Sequence, residues 1–337
     1  MPFFTIAMPI FNAEKYLNES ISSIIMQTEK DFELVLVDDG SKDNSVGVCL
    51  EWINKYPNLI RLIKKENTGS LLTRRKCLEE AKGQYIYIMD ADDYLIDKDA
   101  LKKIKQNIKN NNCDLLFFNS TIKETREPFD NYPFKNMQIF ENDSLNEIYK
   151  IVMSGDGFNA LWNKVFSREL VDWDEDYTKY VNVTNGTDML QMIPIVFNAK
   201  RILYCSDVYY YYRFSSNTSS IVHTFKPTIY TSLRENFKRL INITEKYQID
   251  IKDIDEILAL RFMKIASTSA YKVNLIKKND NYNGVAYLSM IGNDDLFKTE
   301  YRAAKLRELQ LARRIIVVLL YLQKYKMLNI LIHLFKV

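Results

Sequence analysis

The first hundred residues alternate short apolar runs with amphipathic segments, and this alternation constrains the fold more than any other feature of the sequence. The runs FFTIAMPIF, FELVLVDDGS, LIRLIKK and YIYIMDADD have the length and apolar character of strands. EKYLNESISSIIMQ and SLLTRRKCLEEAKG place apolar residues at the three- and four-residue spacing of a helix. Strands that alternate with helices predict an α/β fold, with a parallel sheet covered by helices.

The rest of the chain predicts a change of architecture. CDLLFFNS, the RILYC part of TDMLQMIPIVFNAKRILYC, and DVYYYYRF read as further strands, whereas the sequence from about Pro227 onward is helical and lysine-rich. Because a single core stops growing at roughly 250 to 300 residues, a chain of 337 residues is expected to exceed one domain. We predict a catalytic domain at 1–222, a helical region at 223–300 and a basic tail at 301–337.

The residue counts exclude several kinds of site. Two histidines are too few for a multi-histidine zinc site and disfavour a histidine-driven catalytic triad. Any acid or base chemistry must therefore come from carboxylates. The four cysteines include no C-x-x-C pair, and no signal peptide precedes the first strand, which predicts a cytoplasmic protein with reduced thiols. The N-x-S/T matches are then chance occurrences.

Carboxylates follow two of the predicted strands. Asp38 and Asp39 end the second, and Asp90, Asp92 and Asp93 end the fourth. Parallel sheets bind ligands beyond the carboxyl ends of their strands, so one ligand could touch both groups. Carboxylates at D-x-D spacing suit Mg²⁺ or Mn²⁺ with a substrate diphosphate, although a solvated acidic loop is the alternative.

In the first hundred residues these motifs resemble the inverting family 2 glycosyltransferases, which have the GT-A fold and use nucleotide sugars. The likeness lies in TIAMPIFNAEKYLNESISSIIMQTEKDFELVLVDDGSKDNS and in NTGSLLTRRKCLEEAKGQYIYIMDADDYL. It implies a GT-A fold, to which the residue pattern adds a helical C-terminal region, and a role in building bacterial surface polysaccharide. It also implies that Asp39 accepts a hydrogen bond from the uracil ring, that Asp90 lies near the ribose and that Asp92 binds the Mn²⁺ or Mg²⁺ cofactor.

The resemblance implies a wider nucleotide-sugar site. Phe11 stands where the family commonly has Tyr, and Arg74 takes the position of a cation near the diphosphate. Surface arginines on an amphipathic helix are the alternative, which fits Arg75 better than Arg74. The other residues assigned to this site are Pro9, Asn12, Glu14, Asp38, Asn67, Gly69, Ala91, Trp162, Asn163 and Arg213.

The resemblance also supplies a general base. Inverting transfer needs a group that removes the proton of the acceptor hydroxyl. In NGTDMLQM the matching residue is Asp188, with Thr187 in place of the family's Glu. An ordinary acid in the first turn of a helix is the alternative for Asp188, and core packing is the alternative for Trp162.

The net charge of +3 conceals a basic tail. Residues 301–337 contain eight Lys or Arg and one Glu. Apolar blocks at 315–322 and 327–335 alternate with basic ones and are too short to span a bilayer, a pattern typical of helices that lie on an anionic membrane. A core or dimer-forming helix pair is the alternative.

The first loop disfavours two other classes of nucleotide-binding enzyme. A sugar-phosphate nucleotidyltransferase or a Rossmann dehydrogenase needs a glycine-rich first loop, and MPIFNAEKYL has no glycine. A glycosyltransferase-like binding subunit that has lost catalysis is the open alternative. The expected partners are a UDP-sugar, a lipid-linked saccharide acceptor and the inner face of the cell membrane, with homo-oligomerisation open and no nucleic acid.

Overall fold

The computed structural model describes residues 1–129, 132–213, 225–249, 251–276 and 282–334. The chain divides into two compact units. Unit 1 comprises Met1–Ile148, Asn159–Val181 and Thr187–Phe214, and unit 2 comprises Tyr149–Phe158, Asn182–Gly186 and Ser215–Val337. The predicted boundary at 222 lies outside the described residues, and the three-part division of the chain stays a prediction.

Within the described residues, unit 1 is built on one mixed sheet of nine strands. The strands are β1 Phe4–Ile10, β2 Phe32–Asp38, β3 Ile60–Lys64, β4 Tyr85–Ile88, β5 Tyr94–Leu95, β6 Leu115–Thr121, β7 Ile139–Glu141, β8 Lys164–Ser167 and β9 Arg201–Tyr211. Their order is β3-β2-β1-β4-β8-β6-β9-β5, with β7 paired to β9. The helices up to residue 198 are α1 Glu14–Ile25, α2 Ser45–Lys55, α3 Ser70–Glu80, α4 Ala100–Asn111, α5 Leu145–Ser154 and α6 Thr187–Asn198.

The parallel half of the sheet explains why the acidic motifs meet. β1 pairs in parallel with both β2 and β4, with Ile10 opposite Asp38 and Ala7 opposite Ile88. The strand interiors are buried on both faces, which accounts for their continuous apolar sequences. Both acidic segments therefore begin at the same edge, as the sequence predicts.

The other half of the sheet differs from the prediction. The sequence did not indicate a strand in LWNKVFS, but β8 lies between β4 and β6 and is antiparallel to both. RILYC and DVYYYYRF were predicted as two strands, and they form the single strand β9. The register of β9 against β6 shifts on either side of Asn119, and this irregularity lets one strand continue through the polar Ser206 and Asp207.

Unit 2 is helical within its described residues. Its helices are the end of α5 followed by α7 Ile229–Lys246, α8 Ile254–Tyr271, α9 Gly284–Asn293, α10 Asp295–Ala303, α11 Leu311–Tyr321 and α12 Tyr325–Leu334. α8 packs against α7, α10 and α11. The buried Arg261 of α8 donates hydrogen bonds to the carbonyls of Val152 and Met153 at the end of α5, which satisfies acceptors that a helix end leaves open.

The tail residues are part of this helical unit. Val317, Leu320, Leu328 and Ile332 of α11 and α12 are buried. Arg313 donates to Thr268 Oγ1 at 2.8 Å, and Arg314 donates to the Leu306 carbonyl at 2.9 Å. Two arginines of the predicted basic tail are thus hydrogen-bonded within unit 2. No helix in the described part of the chain has both the length and the apolar character needed to cross a bilayer.

Candidate active site

Asp39 anchors the loop that leads from β3 to α3. Its Oδ1 accepts a hydrogen bond from Thr68 N at 2.9 Å, and its Oδ2 accepts one from Gly69 N at 3.0 Å. Gly69 has φ +87°, a conformation that favours glycine and that turns its N–H toward this carboxylate. Lys65, the first residue after β3, also pairs with Asp39. Both oxygens of the predicted base reader are therefore already engaged.

Asp38, beside it, has an available oxygen. The residue is 3% exposed, and its Oδ2 accepts a long hydrogen bond of 3.3 Å from Ser41 N. Its Oδ1 has no hydrogen-bond partner among the residues that the structure describes. Asp38 lines an open cavity of roughly 730 Å³ together with Ser41, Lys42 and Asn67. Asp38 thus combines a place in the cavity lining with a buried carboxylate oxygen that has no partner in the described part of the chain, and such an oxygen can accept a hydrogen bond from a ligand N–H that reaches it.

The residues after β1 form the neighbouring loop contacts. Phe11 is 51% exposed, so its ring is available for stacking. Asn12 Oδ1 accepts from Lys42 N at 2.8 Å, and Glu14 Oε2 accepts from Asn44 N at 2.6 Å. Both side chains therefore hold the loop that follows β2, while Pro9 is partly buried within β1.

The segment after β4 turns its three carboxylates into different environments. Ala91 O accepts from Ser20 Oγ at 2.8 Å, which fixes the turn against α1. Asp92 is exposed at the surface, although the surrounding protein and the Asp90 charge raise the pKa of its carboxyl group. Asp93 is buried, and burial together with Asp90 and Asp92 raises its pKa to about 8. Removal from water and mutual repulsion both favour the neutral acids.

Arg213 closes this turn from the end of β9. Its backbone N–H donates to Asp93 Oδ1 at 2.7 Å, and its Nε donates to the carbonyl of Asp92 at 2.8 Å. Its guanidinium group also pairs with Glu19 at 2.5 Å. Arg213, which the resemblance assigns to the nucleotide-sugar site, thus holds the acidic turn in place. The serines that follow it, and His223, lie outside the described residues.

Arg74 on α3 joins two of the predicted site carboxylates. Its Nη1 lies 2.5 Å from Asp188 Oδ1, and its Nη2 lies 3.3 Å from Asp90 Oδ1. Nη1 also donates to Thr187 Oγ1 at 3.2 Å. Burial raises the pKa of Asp188, while the charge of Arg74 opposes that rise. The structure therefore brings Asp90, Arg74 and Asp188 together.

The two residues predicted to line the sugar pocket, Trp162 and Asn163, lie in different environments. Trp162 is half-buried and stacks on Tyr210, with ring centroids 5.0 Å apart. Asn163 is fully buried, donates to the Tyr132 hydroxyl at 3.2 Å and accepts from Lys164 Nζ at 2.7 Å. Asn163 is thus a packing residue in this conformation, whereas Trp162 has an accessible part.

Two residues of the candidate site were not predicted from the sequence. Lys65 pairs with Asp39, and Tyr210 donates its hydroxyl hydrogen to Asp93 Oδ2 at 2.7 Å. Lys65 could have been found as the residue that ends a predicted strand at the acidic edge. Tyr210 could not, because four consecutive tyrosines give no indication of which ring faces the site.

The available carboxylates fit a metal held partly by substrate. Among the described residues, no group of three or more His, Cys, Asp or Glu side chains could hold a metal ion. Mg²⁺ is commonly bound by one or two carboxylates together with substrate phosphates. The exposed Asp92, whose neighbours disfavour its negative charge, has the chemistry expected of such a ligand.

Residues 5–171 match the model of the glycosyl transferase family 2 domain. The chain carries a family 2 glycosyltransferase domain. Over 299 residues the glycosyltransferase is 27% identical to the cholesterol galactosyltransferase of Borreliella burgdorferi, an alignment that covers 82% of each protein. It is 28% identical over 211 residues to the poly(ribitol-phosphate) β-N-acetylglucosaminyltransferase TarP of Staphylococcus aureus, which covers 61% of each.

A solved structure confirms the fold of this glycosyltransferase. Residues 1–349 of S. aureus TarS in complex with UDP superpose with a TM-score of 0.68, at 20% identity. The superposition covers 98% of this chain and 90% of that one. The predicted GT-A fold with additional C-terminal helices is therefore confirmed.

Proposed function

We propose that this glycosyltransferase moves a sugar from a UDP-sugar to a hydroxyl group of a saccharide acceptor, with inversion at the anomeric carbon. The observation that carries the proposal is the ion-pair bridge Asp90–Arg74–Asp188. It joins an acid of the D-x-D segment to an acid at the start of α6. Arg74 therefore holds a donor-side group and a candidate base next to each other, as a direct displacement requires.

In this reaction Asp188 is the general base. Its carboxylate takes the proton of the acceptor hydroxyl as that oxygen bonds to the anomeric carbon. The bond between that carbon and the diphosphate oxygen breaks, and UDP leaves with the electron pair. The burial that raises the pKa of Asp188 makes its carboxylate a stronger base than an ordinary aspartate.

The donor would occupy the strand edge. Phe11 offers a ring for the uracil base, and Asp38 Oδ1 is the carboxylate oxygen available to accept its ring N–H. Asp39, together with Asn67 and Gly69 in the loop before α3, shapes the other wall of this position. Arg74 and Arg213 supply positive charge near the diphosphate.

Asp92 would hold a Mn²⁺ or Mg²⁺ ion. When bound, such an ion neutralises the charge that develops on the departing diphosphate. The protein's own contribution is to keep the Asp92 turn rigid, through the bonds from Ser20 to Ala91 and from Arg213 to Asp92 and Asp93.

The test is release of UDP from a panel of UDP-sugars, with and without Mn²⁺, Mg²⁺ and chelator. We expect slow hydrolysis of at least one donor, abolished by chelator and by Asp188→Asn. Donor binding without any UDP release, with or without saccharides, would instead support the catalytically impaired binding subunit, which the replacement of Glu by Thr187 favours.

We further propose that α11 and α12 dock on the inner face of the cell membrane, where a lipid-linked acceptor would be held. Their outward residues include Leu311, Ile315, Leu322, Met327, Ile330 and Leu334, all exposed. Lys324, just before α12, and Lys326, in the first turn of α12, are exposed beside them. Basic residues next to an apolar helix face are typical of interfacial docking, and each contributes about 1 kcal/mol near an anionic surface.

Liposome flotation of the full-length protein tests this docking. We expect binding to anionic vesicles that high salt weakens and that Lys324→Glu with Lys326→Glu abolishes. The matched control is Lys102→Glu with Lys200→Glu, which reverses two exposed lysines of unit 1. Equal loss in both double variants, or a dimer that Ile330→Ser disrupts without any vesicle binding, would contradict membrane docking.

A further inference from the structure

A series of aromatic rings runs from the acidic turn of unit 1 to the surface. Tyr210 and Trp162 are stacked with their centroids 5.0 Å apart and an interplanar angle of 10°. Trp162 and Tyr212 follow at 5.4 Å and 10°. Tyr212 and Phe129 continue the series at 6.3 Å and 33°. We call these four residues the aromatic ladder.

The backbone holds the outer rings of the aromatic ladder in place. Tyr212 N donates to the carbonyl of Thr121 at 2.8 Å, and Phe129 N donates to the carbonyl of Ser120 at 2.8 Å. Both bonds are made to consecutive residues at the end of β6, so both rings are fixed from the same strand end. Pre-positioned rings bind a ligand without a large ordering cost.

The inner end of the aromatic ladder touches the predicted reaction centre. The Tyr210 hydroxyl donates to Asp93 Oδ2 at 2.7 Å. Because Trp162 stacks on both Tyr210 and Tyr212, the aromatic ladder leads outward from this acidic turn.

Exposure increases outward along the aromatic ladder. Tyr210 is fully buried, Trp162 and Tyr212 are half-buried, and Phe129 is 51% exposed. An exposed phenylalanine that extends a stack toward solvent offers a flat apolar surface to a ligand. The acidic turn at the inner end of the aromatic ladder disfavours an anionic ligand at this surface, because like charges in a partly desolvated site repel.

We propose that Phe129, Tyr212 and Trp162 form a stacking surface for a neutral pyranose ring of the acceptor. One face of a pyranose carries C–H groups that pack flat on an aromatic ring, while its hydroxyls stay available at the edge. A ring seated here directs a neighbouring hydroxyl toward Asp188. The proposal deepens the proposed function by naming the residues that bind the acceptor ring, and it rests on Asp188 acting as the base.

Trp162 allows binding to be tested without any donor. The chain has three tryptophans, and we expect methyl glycosides of glucose, galactose and N-acetylglucosamine to be titrated through a change in Trp162 fluorescence. At least one glycoside should give a saturable change that Trp162→Phe removes. Ribitol, which has hydroxyls but no ring, should give none. No change with every glycoside, or an equal response to ribitol, would overturn the proposal.

Variants then separate stacking from folding. Phe129→Ala should raise the Kd of that glycoside about fivefold, because one ring contact is worth roughly 1 kcal/mol. Phe129→Trp should restore binding. The matched control is Tyr56→Ala, which removes another exposed ring stacked on a tryptophan, Trp52, at the C-terminal end of α2. Equal loss in both alanine variants, or none in either, would contradict the proposal.

Measuring hydrolysis of the UDP-sugar distinguishes failure of the proposed function from failure of the stacking surface. Phe129→Ala should leave the rate of UDP release and the KM for the UDP-sugar unchanged, while the KM for the glycoside acceptor rises. If no UDP-sugar is bound but Trp162 still reports glycoside binding, the proposed function fails and the stacking surface stands. If UDP is released normally and glycosides are not bound, only the stacking surface fails.

Discussion

Arg74 Nη1 lies 2.5 Å from Asp188 Oδ1, although the two residues come from the first helix after β3 and the helix before β9. The same guanidinium group contacts Asp90 and Thr187. Arg74 therefore couples the residue that we propose as the base to the donor-side turn. Because the pair is largely buried, its effect on the ionisation of Asp188 is greater than that of a surface ion pair.

The ion pair sets the pH dependence of transfer. The base must be ionised, burial raises its pKa, and Arg74 opposes that rise. Activity should therefore fall toward low pH with an apparent pKa above that of an ordinary aspartate. Arg74→Gln removes the opposing charge, so the acid limb of kcat against pH should move to higher pH. Arg74→Lys keeps the charge and should restore most of the wild-type profile.

Arg75→Gln is the control for this experiment. Arg75 is also buried on α3, but it donates to the carbonyls of Asp172 and Trp173. Its loss should lower stability and leave the acid limb in place. An unchanged acid limb in Arg74→Gln would show that the pair does not control the base.

Asp188→Asn keeps the size of the side chain and removes its basicity. We expect kcat to fall by about 10²- to 10⁴-fold, the usual cost of losing a positioned base. Binding of UDP should change little, because the residues that we propose to bind the uracil base lie at the ends of β1 and β2. Calorimetric titration with UDP checks this point, and a parallel loss of UDP affinity would indicate a structural role for Asp188.

Asp92→Ala should abolish the Mn²⁺-dependent part of UDP binding. The variant should fold normally, because Asp92 is exposed and its removal relieves repulsion with Asp90. UDP titration with Mn²⁺ and with chelator measures the effect, and Asp143→Ala, an exposed acid before α5, is the control. Wild-type Mn²⁺ dependence in Asp92→Ala would remove the metal assignment.

Variants at Asp38 and Asp39 should distinguish recognition of the uracil base from stabilisation of the loop before α3. Asp38→Ala removes the acceptor that is unpaired among the described residues, and we expect UDP affinity to fall by about one to two orders of magnitude, since a hydrogen bond to a charged group is worth about 1.5–3 kcal/mol. The wild type should reject UDP methylated at the uracil N3 position, and Asp38→Ala should bind both forms equally.

Asp39→Ala should instead lower the melting temperature. It leaves Thr68 N and Gly69 N without their acceptor, and it also frees Lys65. The prediction would be contradicted if Asp39→Ala kept full stability while losing discrimination against the methylated base. Asp39 would then be the base reader, as the sequence resemblance implies.

The sequence by itself determined the parallel half of the sheet and the edge at which the acids meet. β1, β2 and β4 are buried on both faces, so their apolar runs are continuous and easy to recognise. The acids must follow them, because a carboxylate within such a strand would lose its hydration. These local rules, together with the family motifs, were enough to identify the fold and to propose Asp92 and Asp188.

Only the tertiary structure decided which groups are already engaged and which are available. Asp38 and Asp39 are adjacent in the sequence, yet Asp39 is bonded to the loop before α3 while Asp38 keeps an oxygen at a cavity wall. The antiparallel β8 and the aromatic ladder also depend on contacts between distant segments. Residue pattern fixes which face a side chain presents along its own strand or helix, whereas its partner depends on packing that no local period encodes.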